Sequence, residues 1–267
     1  MTNATDVWDG RTLPALVAFD LDDTLAPSKS PVDPRMAQLL VDLLGVAQVC
    51  IISGGQIAQF LTQVVERLPA VDAERLDRFH LMPTCGTQYW RYEGNDWVRV
   101  YGEDLKPEQI EAAFASLETR AKELGLWESQ TWGPVLEDRG SQVTFSALGQ
   151  AAPVDVKREW DPSGEKKSAL RAAVAADLPE LEVRSGGSTS VDITRRGIDK
   201  AFGMSKLTEV TGIPIAEMLF VGDRLDPDGN DYPVKRTGVA CHAVTGWEDT
   251  AEFIERLLGV ASAREQS

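Results

Sequence analysis

The chain has 267 residues, 43% hydrophobic and 26% charged, enough for one large domain or two modest ones with a buried core. Its 27 basic residues against 42 acidic ones give a net charge of -15. That balance argues against nucleic acid or an anionic membrane as the main partner, because both need a basic surface, but leaves room for a small anionic ligand.

The run Leu16 to Phe19 predicts a short buried parallel strand that ends in "DLDDT", Asp20 to Thr24. Asp33 to Leu44 has helical spacing, with Pro34 in its first turn. "VCIIS", Val49 to Ser53, predicts a second buried strand, and Gly54 and Gly55 lead into a helix from about Gln56 to Leu68. "FHLMPT", Phe79 to Thr84, is a weaker third strand. The middle of the chain differs. "TQYWRYE", "DWVRVYG", "SQVTFSAL" and "STSVDIT" alternate polar and apolar residues, and helical stretches fall near Lys106 to Leu124 and Glu165 to Ala176. The buried style then returns with "MLFVGD", Met218 to Asp223, and "GVACHAV", Gly238 to Val244, before a closing helix near Thr250 to Leu258. This order predicts an α/β protein, a Rossmann-like parallel-sheet core with an inserted α+β module. The expected core is residues 1–86 and 197–267, and the insertion is 87–196.

Cys50, Cys85 and Cys241 are scattered and odd in number, with no CxxC pattern. Cys50 and Cys241 lie in apolar runs and read as core thiols. With only His80 and His242 present, no zinc site built from Cys and His is expected. The N-terminus, "MTNATDVWDG", has no signal-peptide shape, and no apolar stretch approaches the roughly 20 residues of a membrane span. The cytoplasm is the expected location.

Ligands of an open parallel sheet bind beyond the carboxyl ends of its strands. Asp20 and Asp22, Ser53 and Asp223 all fall there, and Lys200 opens a helical stretch just before the last strands. These residue types point to phosphoryl transfer. Asp20 is a candidate nucleophile toward phosphorus. Asp20 and Asp223 suit Mg²⁺, which prefers carboxylate, phosphate and water oxygens. Lys200 would add a fixed positive charge, and the Ser53 hydroxyl a donor to a phosphate oxygen. Asp22 is a candidate general acid and base. Each element alone has a plainer reading, a solvated turn for "DLDD" or an acidic loop for "DRLDPDGND". That loop does not match the calcium pattern D-x-[DN]-x-[DN]-G-x₅-E. The ordered series carries the signal.

In "DLDDT", "IISGG", Lys200 and "GDRLDPDGND", with Asp223, Asn230 and Asp231, the chain resembles the haloacid dehalogenase superfamily. The resemblance implies Asp20 as nucleophile and Asp22 as acid and base. It implies Mg²⁺ held by Asp20, the backbone carbonyl of Asp22, and Asp223, with Asp231 counted among the metal ligands. It also implies that the insertion is a cap of the C2b type. Within that type the chain looks most like the eukaryotic-type phosphomannomutases, through "DLDDTLAPSKSPV", "EDRGSQVTFSALGQ" and "SGGSTSVDITRRGIDK". That likeness implies substrate contacts from Arg139, Ser190 and Asp192, and a homodimer formed through the cap. Three expected arginines are replaced, by Lys29, Gln150 and Lys157. Lysine loses the planar fork that suits phosphate, and glutamine loses the charge.

A weakened grip on a distal phosphate favours a phosphatase acting on a hexose or related sugar phosphate over a phosphomannomutase. A non-catalytic sugar-phosphate-binding protein is the reading from another class, and the intact acidic set weighs against it. Asp23 stands where a glycine is common and has no catalytic role here. Arg195 and Arg196 read as a solvated turn, or as compensating charge at the hinge. Trp90, Trp97, Trp127, Trp132 and Trp160 fall in the expected cap, as core, interface or sugar platform.

Overall fold

The computed structural model describes residues 8, 10 and 12–265. The expectation drawn from the polar N-terminus falls largely on residues 1–7, outside the described residues. The strands are β1 (Leu16–Phe19), β2 (Gln48–Ile52), β3 (Phe79–Met82), β4 (Gln88–Glu93), β5 (Asp96–Gly102), β6 (Leu136–Asp138), β7 (Gln142–Ser146), β8 (Leu181–Ser185), β9 (Ser190–Arg195), β10 (Met218–Gly222) and β11 (Ala240–Ala243). The chain forms two compact units. One takes in the described residues up to Tyr101 and from Asp199 onward, and the other is Gly102–Ile198.

In the first unit, strands run in the order β11-β10-β1-β2-β3-β4-β5. The pairs β11–β10, β10–β1, β1–β2 and β2–β3 are parallel, and β3–β4 is antiparallel. The continuous apolar runs have a direct cause, because the sheet is buried on both faces. Val17, Phe19, Val49, Ile51, Leu219 and Val221 pack into one apolar cluster, while Leu16, Ala18, Cys50, Ile52, Met218 and Phe220 pack into another. Cys50 and Cys241 are core thiols, and burial raises the Cys50 thiol well above its ordinary value. The helix Pro34–Leu44 starts as its sequence predicts, with Asp33 capping the Arg35 amide at 2.8 Å. Among the described residues no helix is long and apolar enough to cross a membrane.

The second unit holds a sheet in the order β6-β7-β9-β8, with antiparallel neighbours. One face carries Val143, Phe145, Val191 and Ile193, packed with Leu117 and Ala121 of the helix Pro107–Glu123 and Leu170 and Val174 of the helix Glu165–Asp177. The other face carries Gln142, Thr144, Ser146, Ser190 and Thr194, which are polar yet buried. β6, β8 and the helix Val154–Trp160 have no counterpart in the sequence reading; they are short, and β6 and β8 are edge strands of their sheet.

The expected boundary at residue 87 is corrected by the sheet itself. β4 and β5, joined by left-handed Gly94 and Asn95, extend the first unit's sheet. Trp90, Tyr92 and Trp97 pack on that unit's core, with Trp97 edge-on to Phe79 at 5.9 Å between ring centroids. Trp90 and Trp97 therefore belong to the core unit, whereas Trp127 and Trp160 pack in the inserted unit. Half-buried antiparallel strands alternate in the same way whichever sheet they join, so the pattern itself does not choose the unit.

Candidate active site

Asp20 follows β1 directly, and its amide donates to Val221 O at 3.0 Å, so β10 anchors the chain where the strand ends. The Lys200 Nζ, with the side chain only 1% exposed, bridges Asp20 Oδ1 at 2.7 Å and Asp231 Oδ1 at 2.5 Å. Asp231 is fully buried and also accepts the Arg224 amide at 3.0 Å through Oδ2. It lies so close to β10 that a Cβ on Gly222 would sit 2.4 Å from that oxygen, so Gly222 is required for the fit. Asp223 is set by Thr24, whose hydroxyl donates to Asp223 Oδ1 at 3.1 Å and accepts the Asp223 amide at 3.1 Å.

Asp20, Asp223 and Asp231 bring one carboxylate oxygen each within 4.8 Å of the others. Burial, opposed by Lys200 and reinforced by Asp231, pushes the Asp20 carboxyl up to about 8. Burial and then Asp231 hold Asp223 above its ordinary value. Burial disfavours the Lys200 charge, but Asp20 and Asp231 outweigh it and keep the ammonium protonated. One ammonium does not neutralise three carboxylates. The surplus negative charge they carry when ionised, and their oxygen-only donors, fit a hard divalent cation such as Mg²⁺, whose charge would favour the ionised Asp20 over its protonated form. Both oxygens of Asp231 are already engaged, so Asp20 and Asp223 are the better placed to hold it, and Asp231 first serves to seat Lys200.

Asp22 is half-buried and its carboxylate is outside this acidic group. Its Oδ1 accepts the Lys29 amide at 2.6 Å, and its Oδ2 accepts Gln59 Nε2 at 3.4 Å. Lys29 thus meets the site through its backbone, at a left-handed φ of 56°. Ser53 is buried after β2; its hydroxyl accepts the Gly55 amide at 3.4 Å and its carbonyl accepts the Cys85 amide at 2.9 Å. The predicted third strand stops at Met82, because Thr84 and Cys85 turn the chain at φ 49° and 57°.

The remaining predicted residues lie in the inserted unit. Arg139 Nη2 donates to Glu137 Oε2 at 2.7 Å, and Gln150 Nε2 donates to that same oxygen at 2.9 Å. Lys157 Nζ donates to Gln150 O at 2.6 Å. On β9, Asp192 Oδ1 accepts from Gln142 Nε2 at 2.9 Å and Thr144 Oγ1 at 2.8 Å, and Ser190 sits two residues away on the same face. Arg195 pairs with Glu103 at 2.6 Å and Arg196 donates to Pro179 O, so the arginine pair serves the surface of its own unit. Sequence reasoning missed Thr24, Glu137 and Asp199. Thr24 and Glu137 stood inside quoted motifs, and Asp199 occupies the N-cap position immediately before Lys200.

A family model for eukaryotic phosphomannomutase matches residues 129–260. The phosphomannomutase of Schizosaccharomyces pombe is 24% identical over 262 residues, covering 92% of this chain and 95% of that protein. Phosphomannomutase 1 of Homo sapiens is 23% identical over 265 residues, 94% of each chain. A haloacid dehalogenase-like hydrolase from Bacteroides thetaiotaomicron superposes at TM-score 0.61 and 16% identity, over 91% of this chain and 99% of that one. The chain is similar to phosphomannomutases along nearly its whole length and shares the fold of that haloacid dehalogenase-like hydrolase. A trehalose-6-phosphate phosphatase related protein shares the fold at TM-score 0.59 and 15% identity, over 93% of this chain and 99% of its own.

Proposed function

We propose that this phosphomannomutase-like protein is a Mg²⁺-dependent phosphatase that hydrolyses a hexose or related sugar phosphate. The observation that carries the reading is the buried Asp20–Lys200–Asp231 chain at the end of β1, with Asp223 beside it. The Asp20 carboxylate attacks phosphorus, the phosphorus–oxygen bond to the sugar breaks, and Asp22 gives its proton to the leaving alkoxide. Asp22 then takes a proton from water, whose oxygen attacks the aspartyl-phosphate, releasing phosphate and restoring Asp20. Lys200 and the Ser53 hydroxyl stabilise charge on the transferring group. Mg²⁺, held by Asp20, Asp223 and the Asp22 carbonyl, would supply charge neutralisation at the phosphate.

Two features support hydrolysis over return of the phosphoryl group to sugar. Gln150 carries no charge for a second phosphate, and Arg139 is already engaged by the Glu137 carboxylate. The phosphomannomutase relatives, matched along nearly the whole chain, favour a second reading, isomerisation of mannose 1-phosphate to mannose 6-phosphate. One incubation separates them. With mannose 1-phosphate, Mg²⁺ and a catalytic amount of hexose bisphosphate, hydrolysis yields mainly free phosphate. Dominant formation of mannose 6-phosphate with little free phosphate would overturn our reading. Asp20→Asn is expected to abolish turnover with the fold retained, and near-normal activity in that variant would remove Asp20 from the mechanism.

A further inference from the structure

Asp199 sits next to Lys200 and is 4% exposed. Its Oδ1 accepts the amides of Ala201 at 3.0 Å and Phe202 at 3.1 Å, capping the helix Lys200–Thr211. Its Oδ2 accepts Arg236 Nη2 at 2.5 Å. Arg236 belongs to the 3₁₀ segment Tyr232–Thr237, which begins directly after Asp231. The helix that starts with Lys200 and the segment that follows Asp231 are therefore tied twice. The Lys200–Asp231 pair ties them inside the site, and the Asp199–Arg236 pair ties them nearer solvent, where the Arg236 side chain is 60% exposed.

An ion pair with so exposed a partner adds little to stability. Its geometric effect is larger. Lys200 can seat its ammonium between Asp20 and Asp231 only if the helix start keeps its offset from the Asp231 segment. Asp199 serves both sides, through its cap and through Arg236. We propose that Asp199 and Arg236 are positioning residues that hold Lys200 Nζ in line with Asp20 for the attack on phosphorus. The proposal rests on the functional reading above.

The test is a double-mutant cycle on phosphate release from p-nitrophenyl phosphate at saturating Mg²⁺, with D199N, R236Q and the double variant, plus R236K. Asparagine keeps the helix cap and removes only the charge. D199N and R236Q should each lower kcat by about ten- to hundredfold, the scale of a small misplacement, with KM within about twofold. Their melting temperatures should stay within about 3 °C of wild type, since Arg236 is largely exposed and residue 199 keeps its two amide donors in either variant. The double variant should be no slower than the slower single, and R236K should recover most of the lost kcat. Either single variant within about twofold of wild-type kcat, or losses that multiply in the double variant, overturns the clamp while leaving the phosphatase reading intact. Failure of the wild-type protein to release phosphate from p-nitrophenyl phosphate and from a panel of sugar phosphates overturns the reading and the clamp together.

Discussion

The Lys200 ammonium lies 2.7 Å from the Asp20 carboxylate, with both side chains closed to solvent. Lys200 is thus the counter-charge that lets an aspartate be buried at the end of a fully apolar strand. Lys200→Met keeps the volume and removes the charge, leaving Asp20 and Asp231 facing each other. Breaking a buried pair in this way costs about 3–5 kcal/mol. Urea unfolding of the metal-free protein measures it, and phosphatase activity should vanish in the same variant. A loss below about 1 kcal/mol would show that the pair is not what holds these carboxylates.

Asp223 depends on Thr24 for its orientation, through two hydrogen bonds of 3.1 Å. Mg²⁺ at about 100 times its Kd should stabilise the wild-type protein by about 2.7 kcal/mol, readable as a rise in melting temperature. Asp223→Asn should lose most of that rise. Thr24→Val should weaken Mg²⁺ binding measurably while Asp223 remains present. An equal rise in wild type and Asp223→Asn would place the cation elsewhere.

Asp23, without a role by sequence, has a backbone one. It turns the chain at φ 61°, its amide donates to Ala26 O at 2.7 Å, and its Oδ1 accepts the Ser28 amide at 3.1 Å. Glycine occupies that conformation freely, and aspartate tolerates it. Asp23→Gly should therefore change stability by less than about 1 kcal/mol and leave kcat near wild type. Asp23→Val should destabilise by about 1–2 kcal/mol, because a β-branched residue resists the left-handed region. Thermal and urea unfolding of the two variants checks the ordering; Val equal to Gly would refute it.

His80 is buried between the Tyr89 hydroxyl at 2.9 Å and Gln48 Oε1 at 2.7 Å, an arrangement that satisfies the neutral ring. Burial, helped by Arg91, lowers its pKa to about 4. An unfolded histidine titrates near 6.5, so between those values the unfolded chain takes up a proton that the folded protein refuses. This contribution to stability is complete above pH 6.5 and is lost as pH falls toward 4, about 3 kcal/mol in all. Stability of wild type minus that of His80→Gln, measured in urea from pH 7 to pH 4.5, should shrink by most of that amount. A flat difference curve would show that His80 titrates normally.

The order of short apolar runs, each ending in Asp, Ser or Gly-Asp, was enough to place Asp20, Ser53 and Asp223 beyond strand ends. A run apolar on both sides belongs inside a sheet covered on both faces, and parallel connections put those strand ends on one side. Local periodicity reports which side of an element is covered and nothing of what covers it. That is why the aromatic hairpin of β4 and β5 reads as cap and folds as core, where Trp97 meets Phe79. Pairings across long stretches of chain were equally invisible. Lys200 was legible as a charge near the site, but its division between Asp20 and Asp231 follows from the packing of a helix start against a buried loop. Glu137 stands two residues before Arg139 and had no assigned role, and only the tertiary structure put Arg139 and Gln150 on one of its carboxylate oxygens. The residue types set which chemistry the chain can hold. The tertiary structure decided which charges neutralise each other, because that depends on distances of a few ångströms between segments remote in sequence.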